Sequence, residues 1–231
     1  MREILTRGLE ALGVDLDRLP ALEEFSRRLL ERNQVMNLTA ITDPAEVATL
    51  HFLDSLCLLP MAEWTGKAVV DVGTGAGFPG MPLAIVRPDA AVTLLDSLGK
   101  RVKFLEECRD ALGLRNVTCV HARAEEFAAR HREGFDIAVS RAVAALPVLS
   151  EYCLPLAKVG GHFLAMKGAS AAEELEAARG AIKKLGGQYK ETRSFHLPGG
   201  DARSLVLIEK ISQTPTVYPR NGGKIAKAPL K

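Results

Sequence analysis

Two hydrophobic periods divide the chain. Up to about residue 60, apolar positions recur every three or four residues, the spacing of one helical face. Ile4, Leu5, Leu9 and Leu12 share such a face, and Gly13 stops it. Leu19, Leu22, Phe25, Leu29 and Leu30 form a second stripe, with Glu23, Glu24, Arg27, Arg28, Glu31 and Arg32 outside it. A third helix opens where Asp43 suits the N-cap, Pro44 the first turn and Glu46 the capping-box position. It runs through Val47, Leu50, Leu53 and Leu58 to Pro60; before it lies Asn33 to Thr39, polar with apolar anchors. After Trp64-Thr65-Gly66 the pattern changes. Strands are predicted near 68–72, 91–95, 117–121, 135–139, 162–166, 188–196 and 204–210, with helices near 80–86, 98–112, 123–131, 145–157 and 170–185. Such alternation predicts a mostly parallel sheet covered on both faces. The last two strands are joined by Pro198-Gly199-Gly200-Asp201 without a helix, so they form a hairpin and one of them runs antiparallel. The chain thus divides into an N-terminal helical extension (1–60), an α/β domain (61–211) and an aperiodic tail (212–231).

The centre of this pattern is the first strand with the turn and helix start after it, VVDVGTGAGFPGMP from Val69 to Pro82. A buried strand ending in a glycine-rich turn that opens a helix is how α/β folds hold a nucleotide-like cofactor. Two registers fit. Gly75-x-Gly77-x-x-Gly80, with Asp96 about 20 residues on, matches a dinucleotide fingerprint. Asp71-x-Gly73-x-Gly75-x-Gly77 matches the first motif of S-adenosylmethionine-dependent methyltransferases. Asp71 favours the second register: an acid facing the loop suits a cationic amino group and would repel a pyrophosphate. Asp96 and Ser97 at the end of the second strand would then serve the ribose. Ala124 and Glu125, after the third strand, offer a backbone amide and a carboxylate to frame an adenine. Phe78 packs on the cofactor or the core. The closing hairpin points the same way, because it belongs to the methyltransferase version of the doubly wound fold.

Composition narrows the rest. A hydrophobic fraction of 47% is ample for a buried core, and a net charge of only +2 means that any basic surface is local. One such concentration is the tail, which holds Arg220, Lys224, Lys227 and Lys231 and no acid. Cys57, Cys108, Cys119 and Cys153 are scattered, with no metal-ligand spacing, and read as reduced core residues; no metal is expected. The charged first residues do not resemble a signal peptide, and no apolar run is long enough to span a membrane. A soluble cytoplasmic protein is the expectation. Nothing in the sequence calls for a dimer, so a monomer is expected.

The acceptor is read from the loop after the fourth strand, Ser140-Arg141-Ala142-Val143. It lacks the Asn/Asp-Pro-Pro-aromatic run with which exocyclic amines are gripped and deprotonated. It also lacks the nucleophilic Cys of cytosine C5 chemistry, since Cys153 falls inside a predicted helix. An acceptor that needs neither proton removal nor covalent activation fits, and guanine N7 is one. No catalytic acid or base is assigned; Arg141 is the candidate positioning residue, for a cofactor carboxylate, a phosphate or a base. Lys167 lies at the same sheet edge, and Lys100, Arg101 and Lys103 open the helix after Asp96. His51 and Asp54, three apart on the third helix, would either cap the pocket or form a buried His–carboxylate pair.

Several segments in order resemble a known family: MNLTAITDPAEVATLHFLDSL, VVDVGTGAGFPGMPLAIVRPDA, TLLDSLGKRVKFLEE, RAEEF, FDIAVSRAVA and YPRNGGKIAKAPL. Together they are similar to the bacterial 16S ribosomal RNA guanine-N7 methyltransferases, also called glucose-inhibited division protein B. The resemblance implies a Rossmann-like S-adenosylmethionine-dependent methyltransferase acting on one guanine of 16S rRNA, presented as RNA, small ribosomal subunit or assembly intermediate. It implies cofactor binding by Gly73, Phe78, Ala124, Glu125 and Arg141, and RNA contacts from Arg141, Lys167, Arg220 and Lys224. Two other readings stand beside it: an NAD(P)-dependent oxidoreductase and a non-catalytic ribosome-binding factor that keeps the fold.

Overall fold

The computed structural model describes residues 1–231. Seven strands form one sheet: β1 (Ala68–Val72), β2 (Ala91–Asp96), β3 (Val117–His121), β4 (Phe135–Arg141), β5 (Ala157–Lys167), β6 (Gly187–His196) and β7 (Ala202–Lys210). Their order is β3-β2-β1-β4-β5-β7-β6. The first five are parallel to one another, and β7 is antiparallel to both β5 and β6. This is the mostly parallel sheet with a terminal hairpin expected from the alternation of apolar runs. The fifth strand begins five residues earlier than its apolar core, because Gly160 and Gly161 hide its first part from a hydrophobicity reading.

Alternation along the strands sorts the side chains into two cores. Val69, Ile137, Val139, Leu164, Met166, Leu205 and Leu207 face one side, and Val70, Val72, Ala138, Phe163, Ala165, Val206 and Ile208 the other. The first side carries α1 (Arg2–Ala11), α2 (Leu19–Met36), α4 (Gly80–Val86) and α5 (Gly99–Ala111). Leu5, Leu9, Leu22, Phe25 and Leu29 join Met81, Phe104 and Leu105 in one cluster, so the N-terminal helices share the core of the sheet. The other side carries α6 (Ala124–Arg130), α7 (Leu146–Cys153) and α8 (Ala171–Lys184).

The helix predicted to start at Asp43 does so, and its Oδ1 accepts from the amides of Ala45 and Glu46. It is not a uniform α-helix. An α turn (Pro44–Glu46) leads into a π segment (Val47–Leu53) and returns to α (Asp54–Leu56); the whole run is α3 here. A π segment has a wider turn than an α-helix and recurs at functional sites. Here it carries Leu50 and His51, with Asp54 next to it.

The last twenty residues, aperiodic in sequence, hold a short helix, α9 (Gly222–Lys227). They pack along the domain. Ile225 is fully buried, Leu230 is nearly so, and two nitrogens of Arg132 donate to the carbonyls of Thr214 and Tyr218.

Candidate functional site

Strand order places the site. β1 connects leftward to β2, whereas β4 returns to the right of β1, and ligands of open α/β sheets bind in the crevice at such a switch point. The loops that flank it are the glycine turn after β1 and Arg141-Ala142-Val143 after β4. Three cavities open there. One of about 480 Å³ is lined by Gly73, Gly75, Phe78, Asp96, Ser97 and Arg141 among others. One of about 320 Å³ lies beside Ala122, Ala124, Glu125, Tyr152 and Gly222. The third, of about 730 Å³, is bounded by Leu50, His51, Asp54, Arg141, Lys167 and Arg203. Val143 touches all three, and it packs so closely on Gly73 that a Cβ there would collide with it.

The turn is held from behind. Asp71, expected to face the loop, is fully buried beneath it. Its Oδ2 accepts from Thr74 Oγ1 at 2.6 Å and from the Gly80 amide at 2.8 Å. Burial outweighs these bonds and raises the carboxyl to about 6. The reason lies in the pleat: Asp71 is two residues from Val69 and points into the same core. Gly80 carries no side chain because one would strike Leu94 and Asp71. Gly75 adopts φ +60°, and the space where its Cβ would stand is open. Asp96 works from the second strand, its two oxygens accepting from the amides of Gly75 at 2.9 Å and Leu98 at 2.8 Å. Arg101 lies 3.6 Å from it and lines the same cavity, while Lys100 and Lys103 are exposed on α5.

Phe78 joins the core to the crevice. Its ring packs 5.5 Å from both Phe25 and Phe52, stacks on His51 at 4.6 Å, and carries the Arg141 guanidinium 5.1 Å above its centroid. Gly77 (φ +104°) must be small, since a Cβ would press on Leu105 and Phe25.

Arg141 is the hub of the polar groups. It donates to Asp54 Oδ2 and to the Leu50 carbonyl, each at 3.0 Å, and to His51 Nδ1 at 3.2 Å. Arg203, from β7, donates to the other oxygen of Asp54 at 3.1 Å. With Nδ1 accepting, the ring proton of His51 sits on Nε2 and is donated to Thr39 Oγ1 at 2.8 Å. Asn33 clamps Thr39 in turn, through its amide and its carbonyl. Burial, then the charge of Arg141, lowers His51 to about 4, so the ring is neutral. His51 and Asp54 are therefore not a pair; each binds Arg141 separately. Neither Arg203 nor Thr39 stands out in the sequence. An arginine opening an otherwise apolar strand, and a polar knot in an apolar linker, are the signals available.

The remaining cations are engaged to different degrees. Lys167 is nearly buried, 2.8 Å from Glu174 and bonded to the Ala144 carbonyl. Arg220 binds the wholly buried Glu151 through its backbone amide and its guanidinium. Lys224 is exposed. The structure thus groups Gly73, Gly75, Phe78, Asp96, Ser97 and Arg141 around one cavity and Ala124 and Glu125 around the next. It places Lys167 with Arg141 at the third, and Arg220 at an internal ion pair.

Comparison with known proteins decides between the registers of the turn. Residues 18–206 match the family described as rRNA small subunit methyltransferase G. The ribosomal RNA small subunit methyltransferase G of Acetivibrio thermocellus is 48% identical, covering 100% of this chain and 97% of its own. That of Desulforamulus reducens is 51% identical over 91% of this chain and 89% of its own. The chain belongs to the rRNA small subunit methyltransferase G family. Solved structures agree on the fold. A SAM-dependent methyltransferase from Aquifex aeolicus superposes with a TM-score of 0.55 at 19% identity, covering 74% of this chain and 96% of that one. A 16S rRNA (adenine(1408)-N(1))-methyltransferase mutant with cosubstrate SAM, from Catenulisporales acidiphilia, gives 0.54 at 17%, covering 65% and 88%.

S-adenosylmethionine is thus the cofactor, and the crevice suits it. The open cradle over Gly75 admits a ligand against backbone. Asp71, buried beneath the turn with one oxygen unpartnered, puts its charge behind the loop, where it favours a cationic group in the crevice without touching it. No pyrophosphate would be favoured beside two buried acids.

Proposed function

We propose that the chain transfers the methyl group of S-adenosylmethionine to N7 of a guanine in 16S rRNA, in the cytoplasm. The observation that carries this reading is the loop Arg141 to Val143, which is shared by the glycine-turn cavity and the 730 Å³ cavity beside it. The latter is lined by three cations, Arg141, Lys167 and Arg203, held by the acids Asp54 and Glu174 of the same lining, so that it offers fixed N–H donors to the phosphate and base edge of a nucleotide. The bound cofactor supplies an electrophilic methyl on a sulfonium. Gly73, Gly75, Gly77, Phe78, Asp96, Ser97, Ala124, Glu125 and Arg141 are the residues that would hold it, with Asp71 beneath.

The N7 assignment rests on what the acceptor requires. N7 has an in-plane lone pair and no proton, so no general base is needed. His51, the side chain beside the loop that could act as one, is committed to Arg141 and Thr39. No sulfur nucleophile serves either, because Cys153 is fully buried and its thiol is pushed well above its usual range. Catalysis then reduces to positioning, worth about 7–11 kcal/mol at its best. Lys100, Arg101, Lys103, Lys224 and the cations of the acceptor cavity would meet phosphates, giving salt-dependent affinity. Aromatic residues are only 5% of the chain, too few for extensive base stacking, so shape and phosphates carry recognition. A monomer suffices for this arrangement, because every group named comes from one chain.

Nucleoside analysis of 16S rRNA from cells lacking the protein tests the reading. One 7-methylguanosine is expected to disappear; an unchanged content would overturn it. Labelled methyl transfer to naked RNA, small subunits and assembly intermediates in parallel identifies the particle that is methylated.

A further inference from the structure

The C-terminal segment does more than trail from the domain. It is tied down at four points: Thr214, whose hydroxyl donates to the Leu185 carbonyl; the Arg132 clasp on Thr214 and Tyr218; the Arg220–Glu151 pair; and Ile225 in the interior. These anchors set α9 at the 320 Å³ cavity, which Gly222 and Ala226 line together with Ala122, Ala124 and Glu125. Gly222 lies against Glu125, and a Cβ at this position would collide with Glu125 Oε1. Its φ is not in the left-handed region, so the backbone would accept a side chain. A side chain here would push the end of Glu125 aside.

Resting on the cofactor reading above, we propose that this strap is the outer wall of the adenine subsite, and that Gly222 keeps the Glu125 carboxylate in place to receive the base. The two walls divide the work. Ala124 and Glu125 bring an amide and a carboxylate, which complement the acceptor and donor atoms on the edge of an adenine. Gly222 and Ala226 bring small apolar surface, which leaves room for a flat ring and shields those bonds from water. The segment that reads in sequence as an RNA-binding tail is therefore, on its inner side, part of the cofactor site. Arg220 acts through Glu151 as the positioning residue of the strap.

The experiment is calorimetric titration of the full-length chain with S-adenosylhomocysteine. Binding to the unaltered chain is required by the cofactor reading; no binding would overturn that reading and leave the strap without a ligand. Given binding, Gly222→Ala is expected to weaken affinity about tenfold while the unfolding midpoint without ligand holds. The same change made in a Glu125→Ala background is expected to cost nothing further, because the displaced group is already gone. A loss smaller than threefold in the first case, or an equal loss in both backgrounds, would overturn the proposal. Hydrogen exchange on the unaltered chain is independent of any variant's folding. The ligand is expected to slow the amides of 221–226 along with those of 73–78; slowing at 73–78 alone would place the strap outside the subsite.

Discussion

The crevice has two walls that come from opposite ends of the chain, and they are built on different principles. The N-terminal wall, α3, turns its charged and polar groups inward. Asp54 binds two arginines, one of which also binds His51, and all four groups line the 730 Å³ cavity. The C-terminal wall keeps its charges out of the crevice. Arg220 is spent on an internal acid, Lys224 and Lys227 are exposed, and what faces the cavity is glycine and alanine. The difference matches the chemistry expected at each end. At the end proposed to take the acceptor nucleotide, preorganised donors have phosphates and base edges to act on. Around a flat neutral base, area and water exclusion matter more.

The largest expected effect is at the point where the first wall is most charged. Asp54→Ala leaves Arg141 and Arg203 facing each other without the acid between them. Breaking a buried pair in this way costs about 3–5 kcal/mol of stability. Methyl transfer should fall by at least about a hundredfold, since Arg141 loses the partner that sets its direction and misplacement alone costs that much. Denaturant unfolding and steady-state kinetics check the two halves. A variant that unfolds like the unaltered chain and keeps a tenth of its activity would show that the network is ornamental. The corresponding change on the second wall is Glu151→Gln. It keeps the shape but leaves Arg220 half-paired, and about 2 kcal/mol is expected for a lost charge-assisted bond. Affinity for the cofactor should fall, whereas affinity for RNA at saturating cofactor should not. Parallel loss of both would merge the two walls into one functional unit.

How far the sequence reveals these walls depends on how local their physics is. Strands, helices and the glycine turn are legible because each is written in neighbouring residues: an alternation, a capping aspartate, a run of glycines before a helix. The crossover at the switch point comes from the order of those elements. Asp71 shows the limit. Its place after an apolar run is clear, but its direction is set by strand parity and by Thr74 and Gly80, and it turns under the loop instead of over it. The π segment is invisible, because VATLHFL satisfies a helical pattern whatever the exact turn. Arg203 and Asp54 are 149 residues apart, and Arg220 and Glu151 are 69; no local pattern announces such pairs. The tail misleads for the same reason. The Arg220 guanidinium looks free in sequence only because its partner lies elsewhere in the chain.

The smallest effect in the unaltered chain concerns two groups of the crevice that oppose each other in pH. His51 titrates near 4 when folded, against 6.5 in an open chain, so its contribution is present above 6.5 and is lost as pH falls toward 4. Asp71 titrates near 6 when folded, against 3.8, so its contribution is present below 3.8 and is lost as pH rises through 6. Between about pH 4 and 6 the unfolded chain holds an extra proton on His51 and lacks one on Asp71, and the two slopes cancel, each being at most about 1.4 kcal/mol per pH unit. Asp71→Asn removes one slope only. Relative to the unaltered chain, its stability should climb from pH 4 to 6 and then level off, because the amide keeps an acceptor for Thr74 and Gly80 without burying a charge. Cofactor affinity should drop in the same variant, since the negative charge beneath the turn that favours a cationic group in the crevice is gone. Urea unfolding at pH 4, 5, 6 and 7 reads the first effect, and calorimetry the second. A difference that stays flat with pH would mean that Asp71 keeps an ordinary carboxylate pKa, and hence that some group in the crevice reaches it from above.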